Sequence, residues 1–85
     1  MRWDIRLSPA AARELRKLDP SVQRRVYASL SMLEVDPLPP GAKRLVGAEA
    51  VYRVRVGDYR VLYRVEEAIV VVIVVKIAHR REVYR

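Results

Sequence analysis

The chain has 85 residues, enough for one small domain, and 52% of them are hydrophobic, which excludes an intrinsically disordered protein. It contains no cysteine, so disulfides and thiolate metal sites are both excluded, and a reducing cytoplasm is the expected setting. Seventeen lysines and arginines, most of them arginine, against ten acidic residues give a net charge of +7, which calls for a polyanionic partner, either nucleic acid or an acidic protein.

Residues 1–85 are expected to form a single domain. The first residues lack a signal-peptide layout, and the longest apolar run, 68–75, is far too short to cross a membrane. Residues 2–7 alternate Arg-Trp-Asp-Ile-Arg-Leu, a short opening strand with Trp3, Ile5 and Leu7 on its buried side. Ser8-Pro9 then starts a helix, with serine as cap and proline at the first helical position. Ala11, Ala12, Leu15 and Leu18 form its apolar stripe, while Arg13, Glu14, Arg16 and Lys17 point away. Asp19-Pro20 repeats the start signal, and Val22, Val26, Leu30 and Leu33 make the stripe of a second helix, with Arg24 and Arg25 outside it. So short a junction predicts an antiparallel helical hairpin. Residues 36–41, Asp-Pro-Leu-Pro-Pro-Gly, form a rigid connector. Residues 43–50 read as either loop or a short strand.

Residues 51–65 read V-Y-R-V-R-V-G-D-Y-R-V-L-Y-R-V, two alternating runs around Gly57-Asp58, and predict a β-hairpin with a two-residue turn. Val56 then pairs with Tyr59. Tyr52, Val54, Val56, Tyr59, Val61, Tyr63 and Val65 share one face; Val51, Arg53, Arg55, Arg60, Leu62 and Arg64 share the other. Arg55 falls opposite Arg60, and facing like charges are destabilising. Either this face holds an anion, or its guanidinium groups splay into water. Glu66-Glu67 reads as a turn. Residues 69–78 are an almost unbroken β-branched run with Lys76 as its one charge, suited to the middle of the sheet. The basic, aromatic tail 79–85 follows. The helices should cover the face of Tyr52, Val54, Val61 and Tyr63, leaving the arginine face open for Arg80, Arg81 and Tyr84 to fold over.

The order β-α-α-β-β-β, the stretch Gly57-Asp58-Tyr59-Arg60-Val61-Leu62-Tyr63 and the closing His79-Arg80-Arg81-Glu82-Val83-Tyr84 together resemble the RelE/ParE superfamily of toxins from type II toxin–antitoxin systems. The resemblance implies an α+β fold of microbial-ribonuclease type, with the helical hairpin packed on one face of a twisted antiparallel sheet. For the RelE-like branch it implies an mRNA interferase: an endoribonuclease that cuts mRNA on the ribosome without metal or other cofactor, and so inhibits translation. On the matching positions Arg60, Arg80, Tyr84 and His79 are the catalytic candidates, and Arg53, Arg55, Arg64, Lys76 and Arg81 the RNA-binding ones. The implied partners are a cognate acidic antitoxin, mRNA and the ribosome, in the cytoplasm and away from any membrane. The ParE-like branch poisons DNA gyrase instead, and a non-catalytic RNA-binding module is a third reading. His79 reads equally as a hydrogen-bonded strand end, Tyr84 as a packing residue, and Tyr52 with Tyr63 as a cross-strand core pair.

Overall fold

The computed structural model describes residues 2–45 and 51–83. Along the chain lie β1 (Asp4–Leu7), α1 (Pro9–Arg16), α2 (Pro20–Val35), β2 (Lys43–Arg44), β3 (Val51–Val56), β4 (Tyr59–Glu66), β5 (Val71–His79) and α3 (Arg80–Val83), with a 3-10 turn, Glu67–Ile69, joining β4 to β5. The five strands form one sheet in the order β1-β5-β4-β3-β2. As the unbroken apolar run of β5 requires, that strand lies inside the sheet, between β1 and β4.

The sheet is mixed rather than wholly antiparallel. β1 runs parallel to β5, from Asp4 opposite Val71 to Leu7 opposite Val74, while the remaining neighbours are antiparallel. The chain between β1 and β5 is long enough to supply the crossover that a parallel pair needs. The open question over 43–50 resolves at its start, where β2 adds to the edge of β3 with Lys43 opposite Arg53 and Arg44 opposite Tyr52; residues 46–50 lie outside the described residues.

α1 begins as its sequence dictates. Pro9 occupies the first turn and the Ser8 hydroxyl accepts from the Ala11 N–H at 3.1 Å. The same hydroxyl donates to the Val75 carbonyl at 3.2 Å. Glu14, expected to face solvent, turns instead to β5: one carboxylate oxygen accepts from the Ile77 N–H at 2.9 Å and the other lies 3.4 Å from the Lys76 ammonium. The cause is the short length of β1. It stops opposite Val74, so beyond that point the backbone of β5 needs partners, and α1 supplies them. At the other end of α1, the Gln23 amide donates to the Leu15 and Arg16 carbonyls, adding a side-chain cap to the helix C-terminus.

The core lies between helices and sheet. Ala11 and Leu15 of α1 and Val26, Leu30 and Leu33 of α2 pack with Val54, Val56, Val61, Tyr63, Val72, Val74 and Ile77, so the helices cover the face assigned to them. Tyr63 is fully buried; its hydroxyl donates to the Pro37 carbonyl at 2.7 Å, tying the proline connector to the sheet, and its ring lies 6.0 Å from that of Tyr52. Val70 takes the left-handed conformation at φ +54°, which costs a β-branched residue about 1–3 kcal/mol. Its carbonyl accepts from the Asp4 N–H at 3.1 Å, starting the register of β1 on β5. No helix of the described residues is long and apolar enough to cross a membrane.

Two predictions follow from these contacts. Removing the Glu14 carboxylate leaves the Ile77 N–H without its acceptor, a loss of about 1–3 kcal/mol. Glu14→Ala should therefore lower the urea midpoint clearly, and Glu14→Gln, which keeps an acceptor oxygen, should retain most of it. Burial, with smaller contributions from Asp36 and Tyr52, pushes the Tyr63 phenol from 10.0 up to about 12. A folded-state pKa above the unfolded one means that this contribution is complete below pH ~10 and is lost as pH rises towards ~12, by at most about 3 kcal/mol. In urea titrations across that window, wild type should lose more stability than Tyr63→Phe; parallel losses would refute the assignment.

Candidate functional site

The hairpin register is the expected one. Gly57 has φ +59° and Asp58 has no positive φ, the pattern of a type II′ turn, and Val56 pairs with Tyr59, Arg55 with Arg60, Val54 with Val61 and Arg53 with Leu62. Arg53, Arg55 and Arg60 thus share the sheet face opposite the core. Lys43, paired with Arg53 across β2 and β3, joins them by the same rule. Together with Gly41 from the end of the connector, these four cations line a cleft of about 250 Å³. None of its described lining residues is acidic.

Arg60 is the most enclosed of the four, only 8% exposed, and its guanidinium donates to the Tyr59 carbonyl at 3.2 Å. Burying a cation is costly without strong partners, so this position is held by the fold rather than by solvent. Arg55 is exposed, and its Nε donates to the Gly57 carbonyl at 3.1 Å, which draws the guanidinium towards the turn. Guanidinium groups fixed along a concave wall suit bidentate contacts to phosphate oxygens. They also place positive charge where a pentacoordinate phosphorus would accumulate negative charge. Lys43 was invisible as a site residue in the sequence. The signal would have been the parity of Lys43 with Arg53, readable only once β2 is known to be a strand.

The other candidates are distributed differently. Arg64 lies opposite Val51 and pairs with Glu66. Lys76 is drawn to Glu14 and does not line the cleft. His79 is turned away from the cleft. It pairs in register with Tyr59, their rings edge to face with centroids 5.4 Å apart, whereas Arg60 pairs with Ala78. One residue along a strand changes the face, so His79 and Arg60 are on opposite sides of the sheet. Its Nδ1 accepts from the Arg81 N–H at 3.3 Å, at the end of β5. Arg80 and Arg81, both exposed, open α3, which is anchored by the Arg80 N–H donating to the Asp58 carbonyl at 2.8 Å. α3 packs against β4 and β5. Tyr84 lies outside the described residues.

Known proteins resemble this chain in sequence and in fold. RelE1 of Methanocaldococcus jannaschii is 31% identical over 88 residues, an alignment covering 100% of this chain and 98% of that protein. Toxin RelG of Mycobacterium tuberculosis is 29% identical over 86 residues, covering 100% and 99%. Among solved structures, the archaeal RelE–RelB complex of Pyrococcus horikoshii OT3 contains a chain that superposes with a TM-score of 0.83 at 28% identity, covering 94% of this chain and 97% of that one. The model of the family described as the ParE toxin of type II toxin–antitoxin systems, parDE, matches residues 5–84. With the fold, the full-length relatives and the family model in agreement, the chain belongs to the RelE/ParE superfamily and is the toxin of a type II toxin–antitoxin system.

Proposed function

We propose that this toxin is a metal-independent, ribosome-dependent endoribonuclease that cleaves mRNA and so inhibits translation. The observation that carries the reading is the cleft: four cations delivered by β2, β3 and β4 to one concave surface, with no acidic residue among its described lining residues. The names of the full-length relatives, RelE1 and RelG, support the RelE-like branch.

In this reading Arg53, Arg55 and Lys43 hold the phosphates flanking the scissile bond, and Arg60 neutralises the charge that develops on the phosphorane. The 2′-hydroxyl attacks its own 3′-phosphorus, giving up a proton; the 5′-oxygen leaves and takes one up. The products are a 2′,3′-cyclic phosphate and a 5′-hydroxyl. Arginine, with a pKa above about 12, is a poor proton donor, and His79 is on the other face. In this reading proton transfer falls to the tail, with Tyr84 as the proton-bearing side chain and Arg80 or Arg81 supplying further positive charge. With so weak a proton carrier, much of the rate must come from an mRNA already bent for in-line attack, which is what binding in the ribosome provides. The cognate antitoxin is an acidic, amphipathic segment that covers the cleft or displaces the tail, in keeping with the RelB partners of the structural neighbours. The site of action is the cytoplasm.

Gyrase inhibition is the second reading, favoured by the parDE description of the family model and by the absence of His79 from the cleft. A translating extract separates the two. Wild type should produce mRNA fragments with cyclic phosphate ends. Arg60→Ala and Arg53→Ala, each checked for folding by circular dichroism, should lower that cleavage by about 100-fold or more for the Arg60 variant and less for the Arg53 variant. Undiminished cleavage by folded Arg60→Ala, or gyrase–DNA breaks in place of RNA fragments, would overturn the proposal.

A further inference from the structure

Two guanidinium groups meet on the one residue of the hairpin that has no side chain. Arg25, on α2, lies so close over Gly57 that a Cβ placed there would be 2.9 Å from its Nη1, 3.1 Å from its Nη2 and 3.2 Å from its Cζ. From the opposite face of the sheet, Arg55 donates through Nε to the Gly57 carbonyl at 3.1 Å. Both arginines are exposed. Neither takes part in any ion pair among the described residues, and nor does Asp58 beside them. The fold thus gathers like charges from two elements around a bare turn and supplies no carboxylate to hold them there, an arrangement that costs free energy in the empty protein.

We propose that the Gly57-Asp58 turn is a phosphate-binding saddle, with Arg25 and Arg55 as its sides, which carries the RNA backbone out of the cleft and around the end of the sheet. The proposal rests on the RNA-cleaving reading and extends it to a residue of α2. Arg53 and Arg55 follow one another along one face of β3 at about 6.6 Å, close to the pitch of successive phosphates in an extended single strand. Arg25 continues that line beyond Arg55, on the far side of Gly57. Because Gly57 lacks a Cβ, the Arg25 guanidinium can lie directly over the turn, where it and Arg55 can reach one phosphate from the two sides. A polynucleotide fits this better than an acidic peptide, because the cationic line is continuous with a cleft lined by cations.

The test measures binding of the full chain to 2′-O-methyl oligoribonucleotides, which have no free 2′-hydroxyl to attack. A dinucleotide can reach only the cleft; a strand of about twelve nucleotides, within the usual range of single-strand sites, can also cross the turn. Arg25→Gln should leave dinucleotide binding unchanged and should not lower the melting midpoint, since it relieves the repulsion at the turn. It should weaken the longer strand and reduce the slope of log affinity against log salt by about 0.7, the value for one phosphate contact on single strands. Arg53→Gln, in the cleft, should weaken both ligands. If Arg25→Gln leaves the long-strand slope unchanged while Arg53→Gln lowers binding, the saddle is wrong and the cleft stands. If wild type binds neither RNA, the saddle is overturned, while cleavage in the translating extract decides the ribonuclease reading separately. Should Arg25→Gln weaken poly-glutamate as much as RNA, the turn is an acidic-protein contact and the assignment to RNA is overturned.

Discussion

A two-residue turn decides which residues of β3 face which residues of β4, and in this protein that decision separates core from cleft. Side chains alternate with period two, so a slip of one residue would send Val54, Val56, Val61 and Tyr63 to the outside and bring Arg53, Arg55 and Arg60 against the helices. Such a protein would have neither a core nor a site. Gly57 removes the ambiguity because its positive φ lets the strands continue with their natural twist. Stability and function are therefore set by the same residue, and neither face can be changed in register without the other.

The distribution of acidic residues complements that division. Glu34 pairs with Arg2, Asp4 with Arg6, Glu66 with Arg64, and Glu14 with Lys76, all away from the cleft. These exposed or half-exposed pairs add little stability individually. Their larger effect is to hold these carboxylates away from the described cleft wall, which keeps its four cations together on one surface. Enclosure by low-dielectric protein strengthens their positive potential at Arg60 in particular. The cost of crowding cations is met by the apolar packing on the other side of the same strands.

Much of this was legible in the sequence, because the informative signals were local. Ser8-Pro9, the alternation through 51–65 and the Gly57 turn each act over a few residues, and each gives the structure observed. The central placement of β5 was legible too, from its apolar character on both faces. What escaped depended on distant partners. The parallel pairing of β1 with β5 is a tertiary choice that no alternation pattern encodes. Glu14 was assigned to solvent by helical periodicity, and only the early end of β1 explains why β5 recruits it. Lys43 belongs to a two-residue strand, too short to show a period. His79 illustrates the limit most sharply: it is next to the residue facing Arg60, and a single step along the strand puts it on the opposite side of the sheet from Arg60.

The recruitment of Ser8 and Glu14 to β5 has a consequence for how the chain behaves among its own copies. Residues 71–79 combine high β-propensity, strong hydrophobicity and a single lysine, the composition of a segment that templates intermolecular sheets. Past Val74 this strand has lost β1, and bare N–H and C=O groups there would invite a strand from another molecule. The Ser8 hydroxyl and the Glu14 carboxylate occupy the Val75 carbonyl and the Ile77 N–H, capping the open stretch with groups that cannot propagate a ladder. At the other border of the sheet, β2 is only Lys43 and Arg44, too short and too charged to recruit a neighbour. The fold keeps its most adhesive segment in solution by closing one edge with side chains and trimming the other to two cations.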